Sequence, residues 1–309
     1  MKEFFGLSDP MPKNFTNVME FLKIYGFHIN NLYKPDRAFK IIDVYIKHDI
    51  RILSGKQLIH YVCEICDSNI ILYYLHNIKT REYEWLFEGW KPIHLLCCRS
   101  NDEQMYNPIH YLIIKKVDLE AFNVNGWKPI HFIMKFGTLQ IINMFMRSQV
   151  NKHCLTMDGQ SPLYIACRYN NPDIVKYALN IYFSNDLNKN IKRQESISSI
   201  YSEISLHSEL NIISAILQNN NCKNDINLLK YVIQKGANVN IGSPDGWFPI
   251  HYACLHCNLE TIEFIIESGA NLNLNKIIKN NIEYSPYDLM MINKNVPCNN
   301  HLCKLLQTP

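Results

Sequence analysis

A six-residue motif returns along this chain at a nearly fixed interval, and that interval limits the possible folds more than any other feature. Gly89-Trp90-Lys91-Pro92-Ile93-His94 recurs as Gly126-Trp127-Lys128-Pro129-Ile130-His131 and as Gly246-Trp247-Phe248-Pro249-Ile250-His251. Weaker copies are Gly159-Gln160-Ser161-Pro162-Leu163-Tyr164 and Gly55-Lys56-Gln57-Leu58-Ile59-His60. Gly55, Gly89, Gly126 and Gly159 follow one another at nearly even steps, each close to the length of one short repeat. A second motif, Gly236-Ala237-Asn238-Val239-Asn240, returns one such step later as Gly269-Ala270-Asn271-Leu272-Asn273, with Gly246 of the first motif leading Gly269 at a fixed offset in the last repeat. A short period of this kind means that each repeat is one small unit that buries its apolar side only against its neighbours.

The conformation of one unit follows from its residues. Glycine opens a turn because it tolerates positive φ. Proline three residues later suits the first position of a helix, where its missing N–H would be unpaired anyway. Ile250 to Cys254 is apolar and small on one side, Leu255 to Asn258 is a short turn, and Leu259 to Ile266 carries apolar residues at helical spacing with glutamates opposite. Gly269 stands where a helix C-cap is expected. Each period therefore predicts a turn, a short helix, a turn, a longer helix and an extended segment.

These motifs resemble the ankyrin repeat, whose helix-starting sequence is Thr-Pro-Leu-His and whose tail is Gly-Ala-Asp-Val-Asn. The resemblance implies an all-α, ankyrin-type solenoid of helix-turn-helix repeats with short extended or hairpin connections. It spans 1–309 as a single array, with units at about 17–52, 53–87, 88–124, 125–157, 158–190, 206–243 and 244–280. Residues 281–309, beginning at the helix start Ser285-Pro286-Tyr287, are expected to cap the stack. In the first unit only the second-helix pattern is visible, around Ala38 to Ile52. Lys91, Lys128 and Phe248 replace the motif threonine, Tyr164 replaces the histidine, and a few extra residues precede Gly126. The step from Gly159 to Gly246 is longer than two periods, and the excess places a loop insertion at 183–209. Asn219 to Asn224 is a smaller insertion between two helices.

Composition excludes several function classes. Lys plus Arg is 31 against 28 Asp plus Glu, a net charge of +3, which names neither nucleic acid nor an anionic membrane as partner. No stretch of the sequence has the length of apolar residues that spans a bilayer, and Met1 to Pro12 lacks a signal-peptide core. Eleven cysteines, an odd number, fit a reducing compartment. The expectation is an intracellular, cytoplasmic protein. With 36 Asn and 41 Ile the array resembles those of large DNA viruses and AT-rich protists, so the cytoplasm would be the host's if the source is viral.

Two Cys-x-x-Cys pairs, Cys63/Cys66 and Cys254/Cys257, admit a zinc or redox reading. The repeat offers another: Cys63, Cys97, Cys167 and Cys254 each follow the motif His or Tyr by three residues, with Met134 in the same slot, as small buried hydrophobes where units pack. The resemblance likewise makes His60, His94, His131 and His251 ties to neighbouring backbone rather than catalysts. No nucleophile elbow, Gly-rich phosphate loop or His-Glu-x-x-His pair occurs. The chain therefore reads as a monomeric, non-enzymatic protein-interaction module without catalytic residue, cofactor or metal, binding a partner protein on its concave face. Trp90, Lys91, Trp127, Lys128, Trp247 and Phe248, which follow the turn glycines, are the candidate contacts, packing of the indoles on their own turns being the competing role. Two further readings are a substrate-recognition adaptor for a ubiquitin ligase, docking through a terminus, and a metal- or redox-responsive protein using Cys254/Cys257.

Overall fold

The computed structural model describes residues 13–78, 82–186, 212–243, 246–272, 277–279, 282–294, 296, 302 and 306. Contacts gather these into two compact units, Met1–Lys152 and His153–Pro309. In the first, β1 (Asn14–Phe15) precedes α1 (Val18–Ile24), a 3-10 turn (Ile29–Tyr33), α2 (Pro35–Lys47) and β2 (Arg51–Ile52). Then come α3 (Leu58–Ile65), α4 (Ser68–Asn77), α5 (Pro92–Cys98), α6 (Tyr106–Ile114), α7 (Pro129–Phe136) and α8 (Leu139–Arg147). The short helices α3, α5 and α7 stack in order, and the longer α2, α4, α6 and α8 stack behind them. β1 pairs in parallel with β2, Asn14 opposite Arg51.

Helix ends follow local chemistry. Pro92 and Pro129 take the first turn of α5 and α7. The Asp67 carboxylate accepts from the N–H groups of Asn69 and Ile70 to start α4, and Thr138 caps α8 in the same way. Three helices, α1, α2 and α6, close on a left-handed residue that turns the chain back: Gly26 (φ 73°), Asp49 (φ 50°) and Lys116 (φ 57°). At Lys116 the N–H donates to the Ile113 carbonyl at 2.9 Å and that of Val117 to Leu112 at 3.3 Å, a Schellman pattern that Gly26/Phe27 and Asp49/Ile50 repeat.

The beginning of the chain differs from the expected single unit at 17–52. Gly26-Phe27-His28-Ile29-Asn30 follows the tail pattern of Gly236-Ala237-Asn238-Val239-Asn240, so α1 is already a second helix. Gly26 and Asp49, the left-handed ends of two successive longer helices, lie closer in sequence than a full period allows. The 3-10 turn stands where the short helix would be.

The second unit holds α9 (Pro162–Tyr169), α10 (Pro172–Asp186), α11 (Ile212–Gln218), α12 (Ile226–Gln234), α13 (Pro249–His256) and α14 (Leu259–Glu267). An antiparallel pair, β3 (Ile277–Lys279) and β4 (Ile282–Tyr284), leads to α15 (Pro286–Ile292). The short helices α9, α11, α13 and α15 stack in order. α11 has neither turn glycine nor proline, and it takes its place because Ile212, Ile213, Ala215 and Ile216 are all buried. α10 runs to Asp186, so residues 183–186 are helical rather than loop, because no Gly or Pro breaks the pattern there. The rest of the expected insertion, 187–209, lies outside the described residues.

One tie between stacked short helices occurs twice. Asn219 Nδ2 donates to the carbonyls of Cys167 (2.8 Å) and Asn170 (2.6 Å), and Asn293 Nδ2 to those of Cys254 (2.9 Å) and Cys257 (2.8 Å). Each amide satisfies the C-terminal carbonyls of the preceding helix. α15 thereby packs on α13; beyond Lys294 only Val296, Leu302 and Leu306 are described, the two leucines helical and buried.

Candidate interaction surface

The surface is built outward from the turns. At Gly89 φ is 76°, and a Cβ there would lie 2.5 Å from the backbone nitrogen of Val124 in the next turn, so glycine is required twice over. In most turns a side chain three residues before the glycine holds the loop. Asn123 Oδ1 accepts from the N–H of Trp127 at 2.8 Å, Thr156 Oγ1 from Gln160 at 3.1 Å and Ser243 Oγ from Trp247 at 3.2 Å. Leu86 stands in that place before Gly89 and has no such oxygen. The chain there closes instead as a two-residue hairpin, Phe87 and Trp90 exchanging N–H···O bonds of 3.0 and 2.8 Å, with Glu88 forced to φ 47°.

Three of the four motif histidines then fix a helix start through Nδ1. His94 Nδ1 accepts from the Lys91 N–H at 3.0 Å, His131 Nδ1 from Lys128 at 2.9 Å and His251 Nδ1 from Phe248 at 3.0 Å. Because Nδ1 accepts, Nε2 carries the proton, and in His94 it donates to the Ala121 carbonyl at 2.9 Å. The imidazole thus reaches back to the N–H of the N-cap residue, the half of a capping box that an N3 side chain supplies, while the N-cap side chains make no cap bond of their own. Burial drives the pKa of His60 and His94 below the ordinary histidine value and that of His251 down to about 4. A ring fully enclosed and committed to backbone is a structural group.

The tryptophans are half-buried. Phe132 lies between two of them, its centroid 5.4 Å from Trp90 and 5.1 Å from Trp127. Trp247 packs 5.0 Å from Tyr252 and 6.1 Å from its own motif ring, His251. Each motif indole is thus packed against neighbouring rings while part of it stays exposed.

The next residue behaves differently. Lys91 Nζ pairs with Glu84 at 3.0 Å and Asp118 at 3.2 Å, and Lys128 Nζ with Glu120 at 2.7 Å, leaving only 15% and 11% of the lysine side chains exposed. The same carboxylates reach forward: Glu84 accepts from the Asp118 N–H at 3.2 Å and Glu120 from the Asn151 N–H at 2.7 Å. Partial burial opposes charge on Lys91 and Asp118, yet their hydrogen bonds prevail, raising the lysine pKa and lowering the aspartate's. Where Phe248 replaces lysine, Asn240 replaces the acid and accepts from the Asn271 N–H at 2.7 Å. The Phe248 ring rests against Gly242, where a Cβ would meet it at 3.0 Å. Lys91 and Lys128 thus hold neighbouring turns together. Glu84, Asp118, Glu120 and Asn240 were missed from sequence; for all but Asp118 the available signal was an acid or Asn seven or eight residues ahead of each motif Lys or Phe.

In the first unit the short helices α3 and α5 border a cleft of about 390 Å³, with Phe87, Trp90, Leu95, Cys98 and Arg99 among its lining. Arg99 also donates to the Cys63 carbonyl at 2.8 Å, tying α5 to α3. On α7, Lys135 sits 5.4 Å over the Trp127 ring and 5.0 Å over Phe136.

The cysteine pairs are packing groups. Cys63, Cys97, Met134, Cys167 and Cys254 are fully buried, as are Cys66 and Cys257. Burial pushes the thiols of Cys66 and Cys257 up to about 12, and each S–H donates to a backbone carbonyl, Leu32 and Leu217 respectively. Among the described residues no three His, Cys, Asp or Glu side chains converge to hold a metal ion, and no helix is long and apolar enough to cross a membrane.

Comparison with known proteins agrees with this architecture. A family model described as ankyrin repeats (3 copies) matches residues 102–193 and 208–276. The chain is 24% identical over 184 residues to the ankyrin repeat protein L371 of Acanthamoeba polyphaga mimivirus, covering 58% of this chain and 21% of that protein. It is 27% identical over 129 residues to the serine/threonine-protein kinase TNNI3K of Mus musculus, covering 41% and 13%, and 17% identical over 187 residues to the mouse B-cell lymphoma 3 protein homolog, covering 60% and 38%. The chain thus spans well under half the length of each of these relatives. The crystal structure of the human ASB11 ankyrin repeat domain matches the fold with a TM-score of 0.52 at 16% identity, over 82% of this chain and 99% of that one.

Proposed function

Because the chain belongs to the ankyrin repeat family, a family of protein–protein interaction modules, we propose that it binds a partner protein through its turn tips and the exposed side of its short helices, as a monomer and without catalysis of its own. The observation that carries this reading is the set of half-buried tryptophans Trp90, Trp127 and Trp247, one after each strong turn glycine. Indoles already fixed by histidine and aromatic neighbours lose little freedom on binding, and tryptophan is enriched among residues that dominate interface energy. Lys91 and Lys128 contribute by holding those turns in register rather than by contact. The setting is the cytoplasm, that of the host if the source is viral.

Affinity purification from the native cell tests this. Leu95→Asp and Phe136→Asp place charge on the short-helix surface of α5 and α7, and each is expected to reduce recovery of the partner about tenfold or more while the fold persists by circular dichroism. Partners that survive both changes and vanish only when one end of the chain is removed would place the interface elsewhere. Co-purification of ligase subunits in that case would favour the adaptor reading.

A further inference from the structure

Resting on that reading, we infer that the partner segment seated against α5 and α7 is an acidic peptide with apolar side chains. Charge is distributed unevenly over this part of the first unit. Neither α5 nor α7 contains an Asp or Glu, whereas Arg99 follows α5 and Lys135 lies within α7. The acids of the adjoining turns are committed elsewhere, Glu84 and Asp118 to Lys91 and Glu120 to Lys128. Two carboxylates also line the α3–α5 cleft, Glu64, which pairs with Lys56, and Glu88 in the hairpin that carries Trp90.

The floor supplies the second half of the argument. Trp90 and Leu95 line the cleft, and Phe132 continues the aromatic row from Trp90 to Trp127, over which Lys135 is placed. A cation over an aromatic ring presents both an apolar surface and a positive charge at one point. An extended strand alternating carboxylate and apolar side chains matches that pattern, its acids toward Arg99 and Lys135 and its apolar groups on the indole and leucine.

Fluorescence anisotropy with two labelled, capped peptides tests the inference. One alternates glutamate and leucine; its twin carries glutamine for every glutamate. The acidic peptide is expected to bind the full-length protein about tenfold tighter than its twin, the worth of two exposed ion pairs, and the difference should shrink with added salt. Arg99 also ties α5 to α3, so Lys135→Glu carries the charge test, with an unchanged melting curve as the check on folding. It should abolish most of the preference. Equal binding of the twins, no binding of either, or full preference in Lys135→Glu would overturn the inference. If the twins bind alike while Leu95→Asp still removes the captured partner, the interaction surface stands and only its acidic specificity falls.

Discussion

At the scale of single residues, backbone handedness decides which changes the repeat tolerates. Gly89→Ala combines a positive φ with a Cβ 2.5 Å from the Val124 nitrogen. It is expected to cost about 2 kcal/mol or more in urea unfolding, since the left-handed conformation alone costs about 1–2 kcal/mol for an L side chain. Lys116 and Glu88 already bear that strain at φ 57° and 47°. Lys116→Gly and Glu88→Gly should each stabilise by about 0.5–1 kcal/mol, the strain relieved less the added freedom of the unfolded chain. The histidines set a pH dependence. His60, His94 and His251 have folded pKa values below the unfolded value, so the unfolded chain binds more protons between the two. Their contribution is complete above about pH 6.5 and is lost as pH falls toward 4, the value of His251. Unfolding free energy should drop by roughly 1–3 kcal/mol between pH 7 and 5. Asp118, held below its ordinary pKa, acts only at lower pH, so a flat profile from 7 to 5 would contradict the buried neutral imidazoles.

At the scale of elements, the ties between neighbouring repeats are polar as well as apolar. Glu120 joins Lys128 to the Asn151 N–H, and a double-mutant cycle of Glu120→Gln with Lys128→Met should show a coupling of about 1 kcal/mol. Additive effects would mean that the pair is incidental. Asn293→Ala leaves the Cys254 and Cys257 carbonyls short of a donor at the end of the stack. It should cost about 1–3 kcal/mol, with early loss of hydrogen-exchange protection in α15. These links explain what sequence reading could reach. Units carrying Gly-x-x-Pro-Ile-His announce their own helix starts, because turn and cap chemistry are local. Glu120 lies only eight residues ahead of Lys128, but its bond to the Asn151 N–H joins residues that become neighbours only when repeats stack, so periodicity revealed the slots and not the bonds between them. The 3-10 turn at Ile29–Tyr33 and the helix α11 carry no motif; one reflects a shortened period and the other buried apolar spacing alone.

At the scale of the whole molecule, helical pairs bury their apolar sides against one another within each unit, and the proposed interface is what remains, the turns and the outer side of the short helices. The six contact candidates divide once their surroundings are known: the tryptophans are half-buried, the lysines are held by Glu84, Glu120 and Asp118, and Phe248 rests against Gly242. Amide hydrogen exchange of the full-length protein, alone and with its affinity-purified partner, tests the central claim most directly. Bound protein should gain protection in the turn and short-helix segments 89–99, 126–136 and 246–256, with α6, α8 and α14 unchanged. Protection confined to α6, α8 and α14, or to the two ends of the chain, would contradict it.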